Sequence, residues 1–159
     1  MENETLRPNV GGARKIARKL LKDVKIVEIP VSLQRILDYV KTQQNLDVVR
    51  YDFGNKISGM LVNLGDSATI GFNPGHAWVR RRFTIAHELG NLYMGHTCDG
   101  QDKNSNKEIE ADQFAAELLV PLVFVKKDFA VQHDLDALAK KYVVSKEAMC
   151  LHLMECKIL

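Results

Sequence analysis

Arg80-Arg81-Arg82-Phe83-Thr84-Ile85-Ala86-His87-Glu88-Leu89-Gly90-Asn91 sets a His-Glu pair into an apolar, helix-forming run. The helical reading extends over residues 79 to 94 and stops near Gly95, a residue suited to a left-handed helix end. On such a helix the pattern His-Glu-x-x-His places two imidazoles one turn apart on one face, where they bind zinc. The Glu beside the first then takes a proton from metal-bound water. His87 and Glu88 occupy their places, whereas Asn91 stands four residues after His87 where the second imidazole belongs. Its neutral amide oxygen is a much poorer zinc ligand than an imidazole nitrogen.

The following helix-forming stretch, residues 107 to 119, ends at Pro121 and carries Glu108 and Asp112 four apart, hence on one face. The third ligand of a catalytic zinc is often a carboxylate from a separate helix, which makes Glu108 the candidate. A metal-bound His donates its other ring N–H to an acceptor behind it, and Asp112 is placed to accept from His87. Glu110 competes with Glu108 as a ligand but lies off that face.

These residues resemble the ImmA/IrrE family of metallopeptidases. The likeness rests on residues 80 to 90, on Gly95-His96, and on the block Glu108-Ile109-Glu110-Ala111-Asp112-Gln113-Phe114-Ala115-Ala116-Glu117-Leu118-Leu119-Val120-Pro121. It extends to Pro30-Val31, Ser58-Gly59 and the segment from Leu138-Ala139 to Val144-Ser145, and so covers nearly the whole chain. The resemblance implies a zinc-dependent endopeptidase of bacteria, phages or mobile elements that cleaves or regulates a helix-turn-helix repressor. It implies His87 and Glu108 as zinc ligands, Glu88 as general base, and Asn91 at the position of the second ligand. His96 matches a histidine that members with both ligand histidines also have, so it is not a replacement ligand. Two explanations fit Asn91: a natural loss of activity, or a substitution made to trap an inactive form.

Around this centre, residues 13 to 24 and 31 to 40 carry apolar side chains at helical spacing, the second after Pro30 and the cap Ser32. Residues 47 to 51, 59 to 63 and 68 to 72 read as strands separated by Gly54-Asn55 and Gly65-Asp66 turns, and predict a small antiparallel sheet. Residues 100 to 106 read as a loop, and the remainder as two or three short helices. The fold expected is α+β: a small antiparallel sheet packed against a helical metallopeptidase core, with the His87 helix crossed by the Glu108 helix.

The chain has 159 residues, the common size of one domain, and residues 1 to 159 are expected to form one. No apolar run approaches the length of a membrane span, and an acidic, polar start lacks the apolar segment of a secretory signal. The expected location is therefore the cytoplasm, with no membrane partner. An odd count of cysteines, Cys98, Cys150 and Cys156, with no CxxC pair, suits free thiols. A net charge of +2 makes no demand for nucleic acid. Residues 134 to 153 have the outline of a helix-turn-helix, but Lys146 and Lys157 are too few cations to hold a phosphate backbone, so DNA is not an expected partner.

Each candidate has a plainer reading. A lone histidine on an apolar helix is more often structural, Glu88 could be a surface carboxylate, and Glu108 with Asp112 could be a solvated face. Asn91 could fill space and bind nothing, and the Arg80 to Arg82 run reads as a solvated patch, with a substrate-facing role as the alternative. Two functions follow: a Zn2+ endopeptidase acting on a repressor-like protein, or a metal-poor module that holds a repressor or antitoxin partner without cutting it.

Overall fold

The structure is a computed structural model that describes residues 7–96 and 105–159. It runs α1 (Val10–Val24), α2 (Leu33–Gln43), β1 (Leu46–Arg50), β2 (Gly59–Asn63), β3 (Ala68–Phe72), α3 (Trp78–Met94), α4 (Asn106–Leu119), α5 (Leu122–Val131), α6 (Leu135–Tyr142) and α7 (Lys146–Glu155). The fold is α+β, as the sequence predicts. Residues 100–104 of the expected loop, and Cys98, lie outside the described residues; Ser105 and Asn106 already belong to the start of α4, where Ser105 Oγ caps the Glu108 N–H.

The sheet differs from the antiparallel one expected. Its order is β1-β3-β2; β2 pairs antiparallel with β3, but β1 runs parallel to it, Leu46 opposite Ala68 and Arg50 opposite Phe72. The physical reason lies in residues 51–58, which carry the chain from one edge of the sheet to the other. They cross β3 at Gly71, where an added Cβ would lie 3.0 Å from the Phe53 ring. A side chain at Gly71 would obstruct that crossing. One sheet face, with Leu46, Ala68, Ile70 and Leu61, is buried against the helices. The other leaves Val49, Met60 and Val62 exposed.

The helical side is assembled around α4, packed between α1 and α3. Gly90 of α3 permits the closest approach: a Cβ there would stand 2.8 Å from Phe114 Cδ1 of α4. Buried polar groups then fix the ends of the chain. Glu117, 1% exposed, takes the Arg18 Nε of α1 at 3.0 Å and the Leu122 N–H at 3.1 Å, while His152 Nε2 of α7 reaches the Val120 carbonyl at 2.9 Å. Burial holds the His152 imidazole at about 4, so it sits in the core neutral and donates that hydrogen bond.

Arg82 departs from the solvated run that the sequence suggested. Only 6% exposed, it donates to the Val31 carbonyl at 3.1 Å and to the Val143 carbonyl at 3.3 Å. It thereby ties α3 to the segment before α2 and to the left-handed end of α6. Burial lowers its affinity for the proton, and the two carbonyls are the partners that make a buried guanidinium tolerable. Among the described cysteines, Cys150 and Cys156 are free thiols. No described helix is long and apolar enough to cross a membrane.

Candidate metal centre

His87 and Asn91 stand one turn apart on α3, and Glu108 and Asp112 one turn apart on α4. The Gly90–Phe114 contact brings these two faces together. His87 Nε2 lies 3.3 Å from Glu108 Oε2, and His87 Nδ1 lies 2.8 Å from Asp112 Oδ1. The two carboxylates therefore face opposite ring nitrogens of His87.

Electrostatics follow from this clamp. Burial alone would strip the His87 ring of its proton, but the hydrogen bonds to Asp112 and Glu108 outweigh it and push the imidazole up to about 10. Glu108 responds in the opposite direction: its hydrogen bond to His87 holds the carboxyl below the usual range, against a smaller opposing effect of burial. At neutral pH the metal-free site is a cation held between two carboxylates.

Glu88 is 7% exposed and faces β2, where its Cγ lies 3.7 Å from the Cβ position of Gly59. The same position lies 2.4 Å from Thr84 Cγ2 and 2.8 Å from the Gly71 carbonyl, so glycine is what lets β2 lie against α3. Gly59, Thr84 and Glu88 thus pack together at the seam between the strand and the helix. In the sequence Gly59 stood out only as the start of a strand and as part of the Ser58-Gly59 resemblance.

Asn91 is 2% exposed and both polar atoms of its amide are engaged. Nδ2 donates to Glu88 Oε2 at 3.2 Å, the only polarity a carboxylate allows, and Oδ1 faces His96 Nδ1 at 3.1 Å. His96 Nε2 in turn lies 3.0 Å from Glu110 Oε2, whose Oε1 accepts the Asn9 N–H at 2.8 Å. Glu110 thus serves the chain linking Asn91 to the start of α1, not the His87–Glu108 pair. Sequence reasoning matched His96 to a histidine of the family without giving it a role and so missed this link; the signal available was its place directly after the Gly95 helix end.

A tetrahedral zinc with bonds of about 2.0–2.2 Å holds neighbouring ligand atoms roughly 3.3–3.6 Å apart. The His87 Nε2 to Glu108 Oε2 distance of 3.3 Å matches that spacing. The third ligand is what the donor set lacks: the amide oxygen that would supply it is committed to His96, and no three His, Cys, Asp or Glu side chains among the described residues form a metal-holding group. Among the described residues, two donors and a neutral amide oxygen that already faces His96 fall short of a full zinc site.

A profile of the Peptidase_M78 family, described as the IrrE N-terminal-like domain, matches residues 41–154, well over half of the chain. No curated protein sequence matches. Among solved structures, the chain is similar to a Mycobacterium tuberculosis transcriptional regulator, with a TM-score of 0.68 and 16% identity, over 90% of this chain and 46% of that one. The chain therefore spans less than half the length of that protein, and the likeness is one of fold.

Proposed function

The chain belongs to the Peptidase_M78 family of IrrE N-terminal-like domains, and from that premise we propose that it holds a helix-turn-helix repressor or antitoxin-like regulator without cutting it. The family is one of zinc metallopeptidases, so this reading makes the chain a binding member of a catalytic lineage. The observation that carries it is the Asn91 amide, bonded to Glu88 on one side and to His96 on the other. Glu88, the base of the lineage, spends a carboxylate oxygen on Asn91, and His87 is closed between Glu108 and Asp112. Glu88, His87 and Asn91 thus each meet a neighbouring polar group at the centre of the site. The regulator as partner is supported by the family resemblance and by the similarity in fold to a structure described as a transcriptional regulator.

The test is co-expression with helix-turn-helix repressors and antitoxins as candidate partners, followed by size exclusion and intact-mass measurement. An uncut, stoichiometric complex is expected. Recovery of the regulator in two pieces would sink the reading.

A second reading, a zinc endopeptidase acting on the same class of regulator, is favoured by one observation, the 3.3 Å spacing of His87 Nε2 and Glu108 Oε2. In it His87, Glu108 and Asn91 hold zinc, Asp112 orients His87, and Glu88 is the general base. It requires the Asn91 oxygen to leave His96. A cut regulator whose cleavage is abolished by Glu88→Gln would favour this reading over the first.

A further inference from the structure

Residues 134 to 153 have the outline of a helix-turn-helix, yet α7, the second helix of that outline, turns an apolar face outward and not a basic one. On its inner side Met149, His152 and Leu153 are buried. On its outer side Glu147, Cys150, Leu151 and Met154 follow one another at helical spacing and so form one stripe. Leu151 is 51% exposed and Met154 55%. A helix that is apolar on both sides is ordinarily covered on both. The charges around the stripe say what covers this one. Lys146 is engaged by Asp136 at 3.1 Å, and Glu155 by Gln113 and, at 3.9 Å, by Arg14. Glu147 and Lys157 are exposed, stand at opposite ends of the stripe and enter no ion pair among the described residues.

A surface with one free acid at one end, one free base at the other and an apolar middle is complementary to itself when turned end for end. Glu147 and Lys157 lie about 15 Å apart along the helix, and the midpoint falls at the level of Leu151 and His152. A second α7 laid antiparallel across the stripe, about a two-fold axis at that level, puts Glu147 of each copy opposite Lys157 of the other. The same operation sets Leu151 beside its own counterpart and Cys150 against Met154. Parallel pairing would instead set Glu147 against Glu147 and Lys157 against Lys157, which repel. We propose that α7 is a homodimerisation helix, packing antiparallel on α7 of a second copy of this chain through Leu151 and Met154, with Glu147 and Lys157 fixing the register. One face of a ten-residue helix makes a small interface, so the association is reversible and belongs to the micromolar range. The inference is independent of what the site around His87 does.

The experiment is sedimentation equilibrium of the full chain from micromolar to submillimolar concentration, beside four variants whose folding is checked by circular dichroism. The unmodified chain should pass from monomer to dimer, and Leu151→Glu, which sets two carboxylates together at the axis, should stay monomeric. Glu147→Lys and Lys157→Glu should each weaken the dimer about tenfold, because each turns two attractive contacts into two repulsive ones. The double variant carrying both exchanges should recover the dimer to within about twofold, since it restores opposite charges at both ends. A chain that stays monomeric throughout would overturn the proposal and leave the stripe to another protein. A dimer that survives Leu151→Glu would place the interface elsewhere, and a double variant as weak as the sum of the two single changes would overturn the antiparallel pairing.

Discussion

Replacing Asn91 by histidine should turn a two-donor site into a three-donor one, and its cost and gain can both be worked from the contacts. Without metal the variant loses the bonds from Asn91 to Glu88 and His96 and forces a ring into a position only 2% exposed. Two net hydrogen bonds and some strain amount to about 1–3 kcal/mol, or a fall in Tm of roughly 2–10 °C for a chain of this size. With zinc the imidazole joins His87 Nε2 and Glu108 Oε2, already 3.3 Å apart. A ligand at about one hundred times its Kd stabilises by ~2.7 kcal/mol, hence a zinc-dependent rise of roughly 5–10 °C. Differential scanning calorimetry with chelator and with zinc, beside elemental analysis of both proteins, gives the answer. The unmodified chain should hold substoichiometric zinc and melt at the same temperature in both buffers. Stoichiometric zinc in the unmodified chain, or equal zinc shifts in the two proteins, would refute the claim that Asn91 is the missing ligand.

Three further outcomes follow from single contacts. In the metal-free chain His87 is raised from an unfolded value of 6.5 to about 10, so its stabilisation is complete below 6.5 and is lost as pH rises through about 10. Urea melts in chelator should show that decline, and Asp112→Asn should flatten it; an unchanged slope would mean that His87 is not clamped as a cation. Arg82→Met leaves the Val31 and Val143 carbonyls without their donor, a loss of about 2–4 kcal/mol that calorimetry reads as a Tm lowered by roughly 5–15 °C. Gly59→Ala drives a methyl to 2.4 Å from Thr84 and 2.8 Å from the Gly71 carbonyl, at a cost of about 1–3 kcal/mol, whereas Gly11→Ala meets nothing within 4 Å and should gain about 0.4–1 kcal/mol. Equal effects of these two glycine changes in denaturant titration would contradict the close packing of β2 on α3.

The sequence carried what local chemistry determines. Apolar spacing, the cap Ser32 and the Gly95 stop fixed the helices to within a few residues, and β2 and β3 fell where alternation and turn residues put them. The four-residue spacing of Glu108 and Asp112 placed one in front of His87 and one behind it, because side chains one helical turn apart must share a face. Tertiary structure decided the rest, for reasons of distance along the chain. The parallel pairing of β1 depends on residues 51–58 crossing β3 at Gly71, a meeting that no local pattern encodes. Arg82 reads as one of three surface cations until the carbonyls of Val31 and Val143, 51 and 61 residues away, come within its reach. Asn91 reads in sequence as a ligand lost or a filler of space, and folding shows its amide bonded at both ends, because Glu88 reaches it from the preceding turn of α3, His96 from just beyond the helix end, and Glu110 braces His96 from α4. Helix periodicity acts over neighbours in sequence, whereas the state of a buried amide is set by whichever polar groups packing leaves beside it.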